Sequence, residues 1–167
     1  RSLAFEAEAG AGFPRVLPSA SGVGTADGCL SVVFVAGSAA PRHIENPEQI
    51  PAYRYPAEHG PRPPSFSRAT VVTHGAHSLA FISGTAAIKG HQSVAPGRID
   101  AQLDCTLDNL RLISHAAGLG VELGAERKLR RHFKVYLRHA ADLKTVSTRL
   151  DQMLLKPTDS VIYLQAD

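Results

Sequence analysis

Across residues 100–118 the apolar side chains Leu103, Leu107, Leu110, Ile113 and Ala117 recur at spacings of 4, 3, 3 and 4. That rhythm lays them along one face of an α-helix, which Gly118 is placed to cap. A helix this long has to bury its stripe, and its neighbours in the chain say against what. Upstream, residues 70–73 are β-branched, Gly75-Ala76-His77 turns, and residues 79–82 pair back. Downstream, Phe133, Val135 and Leu137 alternate with Lys134, Tyr136 and Arg138, as in a strand with one buried face. Asp142 opens a second helix with Leu143, Val146, Leu150 and Met153 inward, Pro157 ends it, and residues 160–165 read as a last strand. The order from Ala69 is therefore β-β-α-β-α-β, an α+β layer with two helices on one face of a mixed sheet.

The first part of the chain is less regular. Residues 2–11 are Ala/Glu-rich and helix-prone, stopping at Gly10 and Gly12 with Pro14 beyond. Residues 20–25 and 30–36 are β-prone runs split by Ala26-Asp27-Gly28, and the Asp-Gly step predicts a hairpin. Residues 41–64 hold seven of the eleven prolines, which excludes regular helix or central strand and predicts an extended, ordered arm. His43, Tyr53, Tyr55 and His59 make that arm too specific for a featureless linker.

A chain of 167 residues with 44% hydrophobic content buries a core without disulfides. Cys29 and Cys105 read as buried thiols of a reducing compartment. No apolar run approaches the roughly 20 residues of a membrane span and no leader is evident, so a soluble, cytoplasmic protein without membrane partners is expected. The net charge is +3, and the one basic cluster, residues 127–132, has no interleaved aromatics. It reads as a solvated loop, not a nucleic-acid footprint. His74 and His77 flank a turn glycine without a third ligand, so no metal site is expected.

Phe66-Ser67-Arg68-Ala69, Ala80 to Thr85 (AFISGT), Gln102 with Leu107 and Asn109-Leu110, and Asp142-Leu143 together resemble the Rid (YjgF) family of reactive-intermediate deaminases. The resemblance implies a Rid/YjgF-like (chorismate-mutase-like) mixed sheet. Those deaminases hold a substrate carboxylate with an Arg at a Pro-Ala-Arg-Ser strand start. Here that stretch is Pro157-Thr158-Asp159-Ser160, with a carboxylate in place of the cation, and Pro18-Ser19-Ala20-Ser21 lacks the Arg as well. Imine or enamine deamination with the usual pocket is thereby disfavoured. The phrases HIENPEQIPAYRYP, GPRPPSFSRA, SGTAAIKGHQS, IDAQLDCTLDNLRLI, FKVYLRH and VIYLQAD are similar to the chorismatases, chorismate-cleaving enzymes built from two Rid-like domains. On that resemblance residues 1–40 are the C-terminal part of a first Rid-like domain, 41–65 the connecting arm, and 66–167 the catalytic domain, lacking its last strand.

The implied substrate is chorismate, a dianion whose enol ether joins pyruvate to a cyclohexadiene ring, and no cofactor is expected. Cleavage starts by protonating the enolpyruvyl methylene carbon, which needs a carboxylic acid kept neutral by its surroundings. The carboxylates need cationic or hydrogen-bonding clamps. Arg68, standing where the deaminases have Gln, is the first choice; Arg138, Arg149 and Tyr55 are further ones. Each has an ordinary alternative: a surface Arg at a strand start, ion-pair partners, and a packing anchor. Ser83, Gly84 and Thr85 end the strand that lines the Rid pocket, and Ala87 falls where chorismatases vary a small residue linked to the product. His91 is assigned to structure or solvent. Asp100, Asp104 and Asp108 form one solvated stripe. The general acid, a Glu in the family, is expected after Asp167. A homotrimer is expected from Rid pockets lying between subunits. The competing functions are a Rid-type deaminase and a non-catalytic Rid-like module that binds a small ligand.

Overall fold

The computed structural model describes residues 7–13, 16–24, 28–127 and 129–166. Seven strands and two long helices carry its core: β1 (Pro41–Ile44), β2 (Ala69–His74), β3 (His77–Ile82), β4 (Ile88–Lys89), β5 (Gln92–Ser93), α1 (Ile99–Ala116), β6 (His132–Leu137), α2 (Leu143–Met153) and β7 (Ser160–Gln165). The β-β-α-β-α-β order is present from Ala69, with the small β4–β5 ribbon inserted before α1. His74 pairs with His77, leaving a two-residue hairpin loop in which Gly75 takes φ 59°, as a primed turn requires. Helix α1 ends as predicted. Gly118 adopts φ 73°, and the Leu119 amide reaches back to the Ser114 carbonyl at 2.9 Å.

The sheet differs from the single mixed sheet expected. β1, β2 and β3 form an antiparallel sheet in that order, while β6 and β7 form a separate parallel pair joined through α2. No strand among the described residues bridges the two ladders. The arm also contributes more than expected: its first residues are an edge strand. Proline tolerates that position because the edge asks no ladder hydrogen bond of its missing N–H.

Two apolar clusters meet α1 on successive turns. Leu103 and Leu107 pack with Val146 and Leu150 of α2, backed by Val135, Leu137 and Tyr163 from β6 and β7. Ile113 and Ala117 pack with Ile44 of β1 and Ala69 of β2. Each fully buried Leu, Ile or Val contributes about 1.5–3 kcal/mol. The α1 stripe is thus shared between both sheets. In α2 only Val146 and Leu150 are buried, while Leu143 and Met153, expected inward, are exposed.

In the first part of the chain one expectation holds over the described residues and two change. Residues 7–9 are helical and run into a 3-10 turn at Gly10–Gly12, the rest of the expected helix lying outside the described residues. Residues 30–36 form no strand, and Leu30, Val33 and Phe34 are more than four-fifths exposed. A two-stranded hairpin without a third strand or covering helix is marginal in water; of the expected turn at 26–28, residues 26 and 27 lie outside the described residues. Cys29 lies in this run and is exposed, whereas Cys105 on α1 is buried. Residues 17–20 do dock: Leu17 is buried, Ser67 N donates to Pro18 O at 3.0 Å, and Ser19 bridges Ser67.

Candidate active site around Arg68

The β1–β2 register puts Ile44 opposite Ala69, so one step past the ladder Glu45 stands across from Arg68, whose amide donates to Ile44 O at 2.9 Å. Alternation turns both side chains away from the face that buries Ile44 and Ala69. Arg68 is only 4% exposed, although it opens a strand. Its Nη2 donates to the Tyr55 hydroxyl at 2.8 Å and to Ile50 O at 3.2 Å. The guanidinium carbon lies 5.3 Å from the Phe66 ring centroid and 5.7 Å from that of Tyr55, within cation–π range. Tyr55 thus accepts from Arg68 and keeps its own O–H for another acceptor.

Three buried side-chain atoms have no partner among the described residues: Arg68 Nε, Glu45 Oε2 and Gln49 Oε1. Buried polar atoms are nearly always satisfied, so these three leave donor and acceptor capacity for water or a polar ligand. Gln49 is fixed by its Nε2 donating to Ile88 O at 3.0 Å. Burial pushes the Glu45 carboxyl up from 4.5 to about 7, against the opposing pull of Arg68. Near neutral pH this carboxyl is therefore shared between its acid and its anion.

That shift has a sign. Because the folded value is raised, what Glu45 contributes to stability is full below about pH 4.5 and is lost as pH rises through about 7. We expect the urea midpoint of wild type, relative to Glu45→Gln, to fall between pH 5 and pH 8. A midpoint difference that stays flat across that range shows that the carboxyl ionises normally.

Around this pair the remaining residues act as a frame. Ser83 is buried; its amide donates to Arg68 O at 3.0 Å, its hydroxyl donates to Ser67 O at 2.5 Å and accepts from Ala20 N at 3.0 Å. Thr85 Oγ1 donates back to Ser83 O at 2.9 Å. A Cβ on Gly84 would meet Ser21 at 3.5 Å, ordinary contact, so the fold alone does not require glycine there. Ala87 is buried within the loop that Asn109 holds from α1 by donating to Ala86 O and Ile88 O, both at 2.9 Å. Asn109 is fully buried and also meets Asn46 of the arm at 3.5 Å.

Arg138 and Arg149 hydrogen-bond to none of these groups. Arg138 is exposed just past β6. Arg149 ion-pairs with Asp100 at 3.0 Å and with Asp104, tying α2 to α1, while Asp108 pairs with Arg111. The basic cluster at 127–132 is not uniformly solvated: Arg131 is buried and forks onto Asp159. Asp159 therefore spends its charge inside the fold. A cleft of about 120 Å³, lined in part by Leu107, Leu123, Met153 and Leu154, lies between α1 and α2 and includes no residue of the Arg68 group.

Chain order hides this grouping. The sequence pointed to Arg68, Tyr55 and the Ser83 strand end, but not to Glu45 or Gln49, since a search for the acid among the later strands passes over the arm. The usable signal was alternation: Glu45 follows a strand that pairs with the one Arg68 begins.

No protein-family model matches the chain. Among curated proteins it is 38% identical over 158 residues to a chorismatase of Streptomyces hygroscopicus, covering 92% of this chain and 46% of that protein. It is 40% identical over 144 residues to a chorismatase of Streptomyces rapamycinicus, covering 80% of this chain and 42% of that protein. To a 3-hydroxybenzoate synthase of Streptomyces hygroscopicus it is 34% identical over 158 residues, 90% of this chain and 46% of the other. A chorismatase crystal structure superimposes with a TM-score of 0.72 at 30% identity, over 92% of this chain and 47% of that one. The chain spans about half the length of the relatives it matches.

Proposed function

We propose that this chain, a homologue of the chorismatases, forms part of an enzyme that cleaves the enolpyruvyl ether of chorismate. The products are pyruvate and a hydroxybenzoate or dihydroxycyclohexadiene carboxylate, used in aromatic secondary metabolism. The observation that carries the reading is the buried Arg68, with a partnerless Nε and a Tyr55 hydroxyl on its Nη2, facing a carboxyl pushed up to about 7. Arg68 and Tyr55 clamp one carboxylate of the dianion, since a guanidinium fork and a phenol present parallel donors to it. Glu45 in its protonated form donates to the same ligand, and Gln49 Oε1 accepts a ring hydroxyl. Protonation of the methylene carbon by the general acid, a Glu expected after Asp167, gives an oxocarbenium ion that water or the ring hydroxyl traps before pyruvate leaves.

The β-β-α-β-α-β order supports a Rid/YjgF-like fold for residues 66–167; on the same reading residues 1–40 are the end of a first such domain and 41–65 the arm. Of the other residues, Ser83, Gly84, Thr85 and Ala87 frame the site and Arg138 is the candidate for the second carboxylate, while Arg149 is spent on Asp100 and Asp104. No helix among the described residues is long and apolar enough to cross a membrane. A homotrimer working in the cytoplasm completes the reading. The test is to incubate the complete protein with chorismate and follow pyruvate through lactate dehydrogenase. Pyruvate release is the expected result. Ammonia from an imino acid without pyruvate points to a deaminase, and neither product to a binding module.

A further inference from the structure

Glu58, His59 and His91 converge on one point, and we propose that they form a binding site for a divalent metal ion of the zinc class. His59 Nε2 lies 2.9 Å from His91 Nδ1, and Glu58 Oε1 lies 3.5 Å from the first and 3.3 Å from the second. A tetrahedral ion with ligands at about 2.0–2.1 Å has ligand–ligand edges of about 3.3–3.4 Å. The observed triangle has nearly the size of one face of that tetrahedron. Two imidazole nitrogens and a carboxylate oxygen are the donor set of open, three-ligand zinc sites, whereas calcium and magnesium call for oxygen ligands in larger number.

Separate backbone devices hold the three ligands. Glu58 and His59 sit on the 3-10 turn Ala57–His59, closed by His59 N to Pro56 O and Gly60 N to Ala57 O, both 3.1 Å. His91 follows Gly90, whose amide donates to Glu48 O at 3.0 Å and whose carbonyl accepts from Ile50 N at 2.9 Å, so the arm and the β4–β5 turn are pinned together. The Tyr55 ring lies 5.4 Å from that of His59 and 6.3 Å from that of His91, limiting how far either can swing. Without metal, one N–H proton bridges the two ring nitrogens. Binding needs both of these nitrogens as lone pairs, so the donor histidine carries its N–H on its other ring nitrogen instead, a change of tautomer with no net loss of a proton. The inference does not depend on the reaction assigned to Arg68.

Titration of tag-free protein with Zn²⁺ alone by isothermal calorimetry is expected to show one site per chain. Bound Co²⁺ is expected to show the intense visible bands of a tetrahedral site. His59→Ala and His91→Ala should each weaken binding by at least the roughly 10- to 100-fold that loss of a mere outer-shell partner costs. Glu58→Gln should weaken it less, and His74→Ala, outside the cluster, should leave it unchanged. The two cluster histidines are not core residues, so circular dichroism should show all variants folded. Absence of binding to wild type, or unchanged affinity in the His59→Ala/His91→Ala double variant, overturns the proposal.

Discussion

Asp159→Ala is expected to destabilise the protein by about 3–5 kcal/mol, the scale for stranding one partner of a buried ion pair. The carboxylate is 2% exposed and the Arg131 side chain 6%. Arg131 Nε donates to Asp159 Oδ1 at 2.9 Å and Nη2 to Oδ2, while its remaining donors reach Glu122 O at 2.7 Å and Leu154 O at 2.9 Å. The guanidinium carbon also sits 5.2 Å from the Phe133 ring centroid. On the other side, Lys156 N donates to Asp159 Oδ2 at 2.7 Å. Removing the carboxylate leaves a buried cation and an orphaned amide at the point where β6 and β7 begin. A melting temperature lower by roughly 10 °C is the corresponding reading.

Burial alone would push the Asp159 carboxyl up, but the Arg131 and Lys156 hydrogen bonds and charges hold it below its ordinary value. With a lowered folded value, its stabilisation is present above about 3.8 and lost as pH falls through the folded value. The gap between wild type and variant should therefore narrow in acid. Replacing both partners, Arg131→Met with Asp159→Leu, should cost less than either single change because no charge is left alone. A single-variant loss under about 1 kcal/mol would place the pair with solvated surface bridges instead.

On the proposed function, Arg68→Ala in the complete protein is expected to lower kcat/KM for chorismate by roughly 30- to 1000-fold, which is about 2–4 kcal/mol of lost clamping. Arg68→Lys should recover little, because a point charge cannot keep the Tyr55 and Ile50 contacts while presenting a second N–H to the ligand. The division between constants is informative: a raised KM with kcat unchanged marks a clamp that holds substrate and transition state alike. A variant that folds as wild type and keeps full kcat/KM removes Arg68 from the site.

Local pattern made α1, the β2–β3 hairpin, β6 and β7 legible, since each shows its period within its own span. The failures share a cause in that they needed partners far along the chain. Arg131 and Asp159 are 28 residues apart, and nothing local distinguishes a buried fork from a solvated basic cluster. His59 and His91 are 32 apart and meet only because the arm is pinned to the β4–β5 turn. Residues 30–36 failed the other way. Their β-branched content reads as strand, but propensity without a neighbouring strand makes no ladder. Asp159 shows why a single misplaced charge is weak grounds about substrate: its role was settled by Arg131, not by the pocket it was expected to face.

Helix α1 gives Leu103 and Leu107 to one apolar cluster and Ile113, with Ala117 at its C-cap, to the other, and among the described residues no other element joins both. It therefore works as a lever with a load at each end. Loosening of the β1–β3 sheet with the Arg68 group would leave α1 held by the β6–β7 end, and the reverse, so hydrogen exchange along α1 is expected to be slowest in the chain. Asn109, between the two clusters, holds the Ala86–Ile88 loop, so a tilt of the helix about that point moves the loop least.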